Sequence, residues 1–184
     1  VKEDLIAHVD PSQRNKSAWK WAFAATGIVV RSSGFHVAFL YRVGHFLRTR
    51  CGAFGVVTSG LIFWFVRHAY CVSIASTAHI EGGLILPHPQ GIVIGAGAVI
   101  GPRAWIFQNV TIGGSPSRAG LPVIGSDSRI YSGAVVSGPI SVGDRVLIGA
   151  NAVITFDVPS DTIASANRTT FEGADNRRRL RRTV

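Results

Sequence analysis

The chain has 184 residues, 47% of them hydrophobic and 16% charged, with a formal net charge of +9 at pH 7. That apolar content excludes a disordered chain, and 21 glycines with 8 prolines in no three-residue period exclude a collagen-like one, leaving one turn-rich domain with room for a small appendage. Two cysteines, Cys51 and Cys71, cannot staple a disulfide scaffold, and no apolar leader opens Val1-Lys2-Glu3-Asp4, so the expected compartment is the reducing cytoplasm.

The positive charge predicts attraction to an anionic partner. It is unevenly placed: no Asp or Glu occurs between Asp10 and Glu81, whereas Arg14, Lys16, Lys20, Arg31, Arg42, Arg48, Arg50 and Arg67 all fall there. A second cluster, Arg177, Arg178, Arg179, Arg181 and Arg182, closes the chain in a basic tail, 161–184. Residues 1–70 lack strand-like alternation and read as a helical segment. Phe35, Val37, Ala38, Leu40, Tyr41, Val43, Phe46 and Leu47 interleave with Arg42, His45 and Arg48 as in an amphipathic helix, and Ser32-Ser33-Gly34 supplies N-cap chemistry before it. A charge-free run from Cys51 to Val66 follows between Arg50 and Arg67, shorter than the ~20 residues of a membrane span and broken by Gly52, Gly55 and Gly60. It reads as a buried or interfacial helix. Trp19, Trp21, Phe63, Trp64 and Phe65 beside so many arginines suit two surfaces, an anionic bilayer touched peripherally from the inner face or another subunit, and the sequence leaves both open. Nucleic acid is not expected as a partner, because the charge excess lies outside the repeat described next and no helix-turn-helix, zinc or aromatic RNA-binding signature accompanies it.

From residue 71 to about 160 the chain follows a six-residue ruler. Ile74, Ile80 and Leu86 are six apart; after a two-residue slip Ile94, Ile100, Ile106 and Ile112 keep the step; after a loop Ile124, Ile130, Val136, Val142, Ile148 and Ile154 resume it. The fourth residue after the aliphatic is often small: Ala78, Ala98, Ala104, Ser128, Ala134, Ala152. Period six matches neither a helix at 3.6 nor a flat sheet at 2, but it does match a coil of short parallel strands in which each unit gives one strand and one turn. The expected fold is therefore mainly β, a parallel β-helix of hexapeptide repeats behind an N-terminal α-helical segment. Its interruptions, Leu86-Pro87-His88-Pro89-Gln90-Gly91 and residues 113–122, are where functional loops are expected.

Four stretches make the chain resemble the serine acetyltransferase family of left-handed β-helix acyltransferases, including shorter relatives that O-acetylate capsular sugars. They are Leu40-Tyr41-Arg42-Val43-Gly44-His45, His88-Pro89-Gln90-Gly91-Ile92-Val93-Ile94-Gly95, Ile106-Phe107-Gln108-Asn109-Val110-Thr111-Ile112-Gly113-Gly114, and the final coils through Val158-Pro159. The resemblance implies acetyl-CoA as co-substrate, a homotrimer or dimer of trimers, sites between neighbouring β-helices, and a hydroxyl acceptor that is serine or a saccharide.

Acetyl transfer from a thioester to an alcohol needs a base for the hydroxyl proton and donors for a tetrahedral oxyanion. His88 is the best base the repeat offers, held in a Pro-bounded loop, and it matches the family's catalytic histidine. The family orients that histidine with a carboxylate, and the matching position here is Ser73, able to accept a hydrogen bond but not to balance an imidazolium. Pro87 stands where serine-specific members often carry Asp, and Leu121 where they carry a second histidine; both departures weaken serine as acceptor. Counting the slip as part of the coil puts Gln108 in the column of His88, where an amide can orient substrate or donate to an oxyanion. Small residues allow the close backbone approach that a pantetheine arm needs: Gly114, Gly133, Ala134, Gly149 and Ala150 are candidates, of which Gly114 and Ala150 match CoA-lining positions of the family. Arg118 is the candidate acceptor-binding cation, and Arg145 and Arg168 are candidates for the nucleotide phosphates. No metal is expected. A carbonic anhydrase on such a solenoid needs three histidines around zinc, and none follows His88. The rival reading is a catalytically weak scaffold of a biosynthetic complex.

Overall fold

The computed structural model describes residues 1–8, 26–29 and 31–166; Trp19, Trp21, Arg168 and the closing arginines lie outside them. The helices α1 (Lys2–His8), α2 (Ser33–Arg50) and α3 (Gly52–Tyr70) precede thirteen short strands among the described residues. The strands stack into three parallel sheets, the three faces of a prism. The first sheet orders β1 (Ser73–Ile74), β3 (Val93–Ile94), β6 (Thr111–Gly113), β9 (Val135–Ser137) and β12 (Val153–Ile154). The second holds β2 (His79–Ile80), β4 (Val99–Ile100), β7 (Val123–Ile124) and β10 (Ser141–Val142); the third holds β5 (Trp105–Ile106), β8 (Arg129–Ile130), β11 (Leu147–Ile148) and β13 (Ile163–Ala164). The β-helix thus continues a few residues beyond 160, where the ruler ends.

All thirteen ruler aliphatics point inward and are buried. So are the small residues two positions before them, Ala78, Ala98, Ala104, Ser128, Ala134 and Ala152, because the strand alternation that turns the ruler residue inward does the same for its second neighbour. The same inward position takes large side chains in other repeats, as Leu84, Ile92, Ile140 and Val146 do. Ser128, the polar exception, donates to the Gly143 carbonyl at 3.0 Å and accepts the Val146 N–H at 3.3 Å, so its hydroxyl is satisfied.

Two prism corners turn through left-handed residues. Cys71, Gly91, Asn109, Gly133 and Asn151, with φ from 54° to 71°, form one corner column. Gly83, Arg103, Asp127, Arg145 and Asp161 form another. In the second, Arg103 grips Asp127 and Arg145 grips Asp161, each nitrogen–oxygen distance 2.6–2.7 Å. The guanidinium hydrogen bonds hold both carboxyls below the usual carboxylate range, yet the pairs are exposed and add little stability.

The helical segment docks through polar atoms onto the first coil. Ser32 caps α2 by accepting the Phe35 N–H at 3.2 Å, the chemistry its sequence foretold. From one face of α2 the Tyr41 hydroxyl donates to the Ala78 carbonyl at 2.7 Å, Arg42 donates to the carbonyls of Ile80 and Glu81, and His45 bonds the Ser76 carbonyl at 3.1 Å. The stretch Leu40–His45 is thus a clamp on strand ends that carry no lateral partner on that side. Asp4 of α1 completes it, fully buried and accepting from Arg42 and from the N–H groups of Gly83 and Leu84. α3 packs back on α2 where Gly55 lies against the Leu47 carbonyl with no room for a Cβ. It ends at Cys71, whose left-handed conformation and carbonyl, accepting the Gly91 N–H at 2.9 Å, pass the chain directly into the first coil.

Candidate active site

A regular coil here takes eighteen residues, as from Val93 to its partner Thr111, but Ser73 pairs with Val93, so the first coil holds two more. The place where they sit decides what His88 meets. The Asn109 N–H donates to the Gln90 carbonyl as Gly133 does to Gln108 and Asn151 to Ser132. Gln90, Gln108, Ser132 and Ala150 therefore form one column, and the surplus lies before Gln90, at His88 and Pro89. The expected stacking of Gln108 on His88 is corrected: Gln108 stands over Gln90. The extra residues bulge outward, pinched where the Gln90 N–H closes on the His88 carbonyl at 2.8 Å. Pro89 is buried and fastens the bulge, leaving the His88 side chain exposed. Among the described residues its imidazole makes no hydrogen bond, so both ring nitrogens are open to substrate or to a neighbouring chain.

Ser73, at the carboxylate position, is committed elsewhere. Its Oγ accepts from Arg67 Nη2 at 3.2 Å, and the two line a hollow of about 210 Å³ with Gly60, Phe63, Trp64 and Ile74. The family's acid is thus replaced by a hydroxyl with a guanidinium on it, and the local charge next to the first coil is positive.

Four more candidates share the His88 edge of the prism. Gln108 and Ala150 lie in the column just described, with Gly133 and Gly149 on either side of it. Gln108 is half-buried, and its Oε1 is buried without a donor. A native structure seldom leaves an amide oxygen so, except where a ligand or partner supplies the missing group. Gly133 has its own structural reason, since a Cβ there would strike Asn151 Oδ1 at 2.2 Å. Ala134 has to be removed from the groove: it is fully buried in the prism core and offers no surface to a ligand, the inward alternation having placed it there.

Gly114 and Arg118 stand on the other edge of the first sheet, past β6, in the outward loop. The Gly114 carbonyl accepts the Ser137 hydroxyl at 2.9 Å, and a Cβ on Gly114 would stand 3.6 Å from the Gly120 carbonyl oxygen, an ordinary contact. Arg118 folds back to donate to the Thr155 carbonyl at 2.6 Å, an anchor for the loop. Arg145 pairs with Asp161 through Nε and Nη2. One feature beside the His88 edge was passed over in the sequence: a stack of half-buried rings, Trp105, Phe107 and Tyr131, centroids 6.4 and 5.0 Å apart, with the Arg129 guanidinium 4.8 Å over Trp105. Its signal was aromatics on the third-sheet strand and one residue past the ruler. The candidates are thus divided between two edges of the first sheet.

The class this defines is the hexapeptide-repeat acyltransferases, and residues 122–155 match the bacterial transferase hexapeptide family (six repeats). A serine acetyltransferase from Helicobacter pylori is 33% identical over 167 residues, covering 90% of this chain and 91% of that one. Among solved structures, serine acetyltransferase isoform 3 of Entamoeba histolytica in complex with cysteine aligns with a TM-score of 0.76 at 28% identity, over 100% of this chain and 63% of that one. A serine acetyltransferase in complex with CoA aligns with a TM-score of 0.73 at 28% identity, over 89% of this chain and 64% of that one. The chain therefore spans less than two thirds of either crystallised relative. It belongs to the serine acetyltransferase-like family of hexapeptide-repeat acyltransferases.

Proposed function

We propose that the chain is an acetyl-CoA-dependent O-acetyltransferase whose site forms where the His88 edge of one copy meets the Gly114–Arg118 edge of the next in a trimer. The acceptor hydroxyl attacks the thioester carbonyl while His88 takes its proton; the tetrahedral adduct collapses, the carbon–sulfur bond breaks, and the imidazolium returns the proton to the CoA sulfur. No covalent enzyme intermediate is needed, since both substrates bind together. Gly133, Gly149 and Ala150 give the pantetheine arm a close approach to backbone, and Gln108 holds a substrate donor or, with the amide turned, donates to the oxyanion. The observation that carries the reading is the His88 bulge, where the two surplus residues, exposed His88 and buried Pro89, present a free imidazole beside an edge of small residues. The CoA complex of a relative with the same fold supports the donor.

L-serine is the acceptor that the activity of the relatives supports. A saccharide hydroxyl is the second reading, favoured by the Arg67–Ser73 pair: the ammonium of free serine gains from a nearby carboxylate, and here it meets a guanidinium. Calorimetric titration with acetyl-CoA, followed by thiol release with L-serine and with a panel of neutral and acidic sugars, tests both. Acetyl-CoA binding with release on one acceptor class identifies the substrate; absence of acetyl-CoA binding leaves only a scaffold.

A further inference from the structure

α3 has two faces. Gly55, Ser59 and Val66 are buried against the rest of the protein, so the helix is fixed in place. The opposite face carries Phe54, Val57, Leu61, Trp64 and Phe65, which recur at the helical spacing of three, four and seven and so form one stripe. Phe54 is 73% exposed, Leu61 63% and Trp64 60%. The one hydroxyl near the stripe, Thr58, turns inward to donate to the Phe54 carbonyl at 2.9 Å, which hides its polarity. An apolar strip of this length, on a helix already docked by its other face, needs a covering surface.

We propose that this stripe lies in the headgroup boundary of an anionic bilayer. The charge around it selects that occupant. Arg48 and Arg50, both exposed, sit at one end of the stripe and Arg67 and His68 at the other, and no Asp or Glu occurs from residue 31 to residue 80. A second copy of a chain with net charge +9 would bring like charges together there, whereas anionic lipid supplies the opposite sign. Nineteen residues of helix are about 28 Å long, enough to span by length alone. The docked face and the arginines at both ends hold α3 in the plane of the membrane instead.

The test uses the full chain in sedimentation with vesicles of phosphatidylcholine, with and without about a third phosphatidylglycerol. The triple variant Phe54→Gln, Val57→Gln, Leu61→Gln keeps helix propensity and touches none of the residues placed at the site, so acetyl transfer in solution is its folding control. The wild type is expected to sediment with the anionic vesicles, less so at high salt, and the variant to lose at least about tenfold in partitioning. Equal partitioning of wild type and variant overturns the proposal. So does a wild type that ignores both vesicles while the triple variant alone lowers the oligomer mass by light scattering, which would assign the stripe to subunit packing.

Discussion

Replacing Asp4 by Ala tests how the helical segment holds the coil that presents His88. The carboxylate accepts from Arg42 Nε at 3.0 Å and Nη2 at 3.2 Å, and from the N–H groups of Gly83 and Leu84 at 2.9 and 3.0 Å. It is 0% exposed, and Arg42 is 19% exposed. Truncation leaves two N–H groups without acceptors and a guanidinium without its counter-ion; breaking a buried pair costs about 3–5 kcal/mol. Arg42 keeps its bonds to the Ile80 and Glu81 carbonyls, and α1 can lift to admit water, so the low end, about 3 kcal/mol, is expected. Hydrogen exchange at the Gly83 and Leu84 amides should speed up by about a hundredfold, since 1.4 kcal/mol is a factor of ten. Unchanged exchange at those two amides would refute the clamp. The same group predicts a pH dependence. Burial works to raise the Asp4 carboxyl, but hydrogen bonding and charge from Arg42, with the Leu84 N–H, outweigh it and hold the carboxyl below its ordinary value. The folded form thus favours the ionised carboxylate, the contribution is complete above about pH 4, and it is lost as the pH falls through the depressed value.

Gly91→Ala puts a Cβ 2.1 Å from Asn109 Oδ1 at a φ of 65°, so it should cost at least about 1–2 kcal/mol in chemical denaturation and lower turnover by shifting the His88 bulge. Ile106→Ala, fully buried in the middle of the prism, should cost about 2–5 kcal/mol, read as a fall in the denaturation midpoint. Gln108→Leu removes an amide oxygen with no donor, so thermal stability should hold or rise while kcat/KM falls about tenfold or more; a fall in both would make Gln108 structural.

Much of the fold was legible because a narrow prism repeats one demand. Ile74 through Ile154 read as a ruler because each face needs an inward aliphatic every six residues, and Ser32 read as a cap because its hydroxyl has a local task. The ruler fixes strands, not the place of a surplus residue, and so the slip between Leu86 and Ile92 could be set either side of Gln90; the left-handed column of Gly91, Asn109 and Gly133 decides it. The fate of Ala134 was written in the same pattern, four residues past an aliphatic, and so was that of Arg145, three past Val142 as Asp161 is three past Val158. The partnership of Asp4 with Gly83 was not legible, since no local pattern joins residues 79 apart. Nor could composition show which face of the 52–70 helix would be left bare; that depends on how α2 sits on the first coil.

The central claim is that the His88 imidazole removes the acceptor's proton, and His88→Ala measures it most directly, with acetyl-CoA turnover and acetyl-CoA affinity determined on the same preparation. The account predicts kcat lower by about 10²–10⁴ with affinity within about threefold of the wild type, the mark of a group used in the transition state and not in donor binding. A variant that turns over acetyl-CoA at the wild-type rate would contradict it.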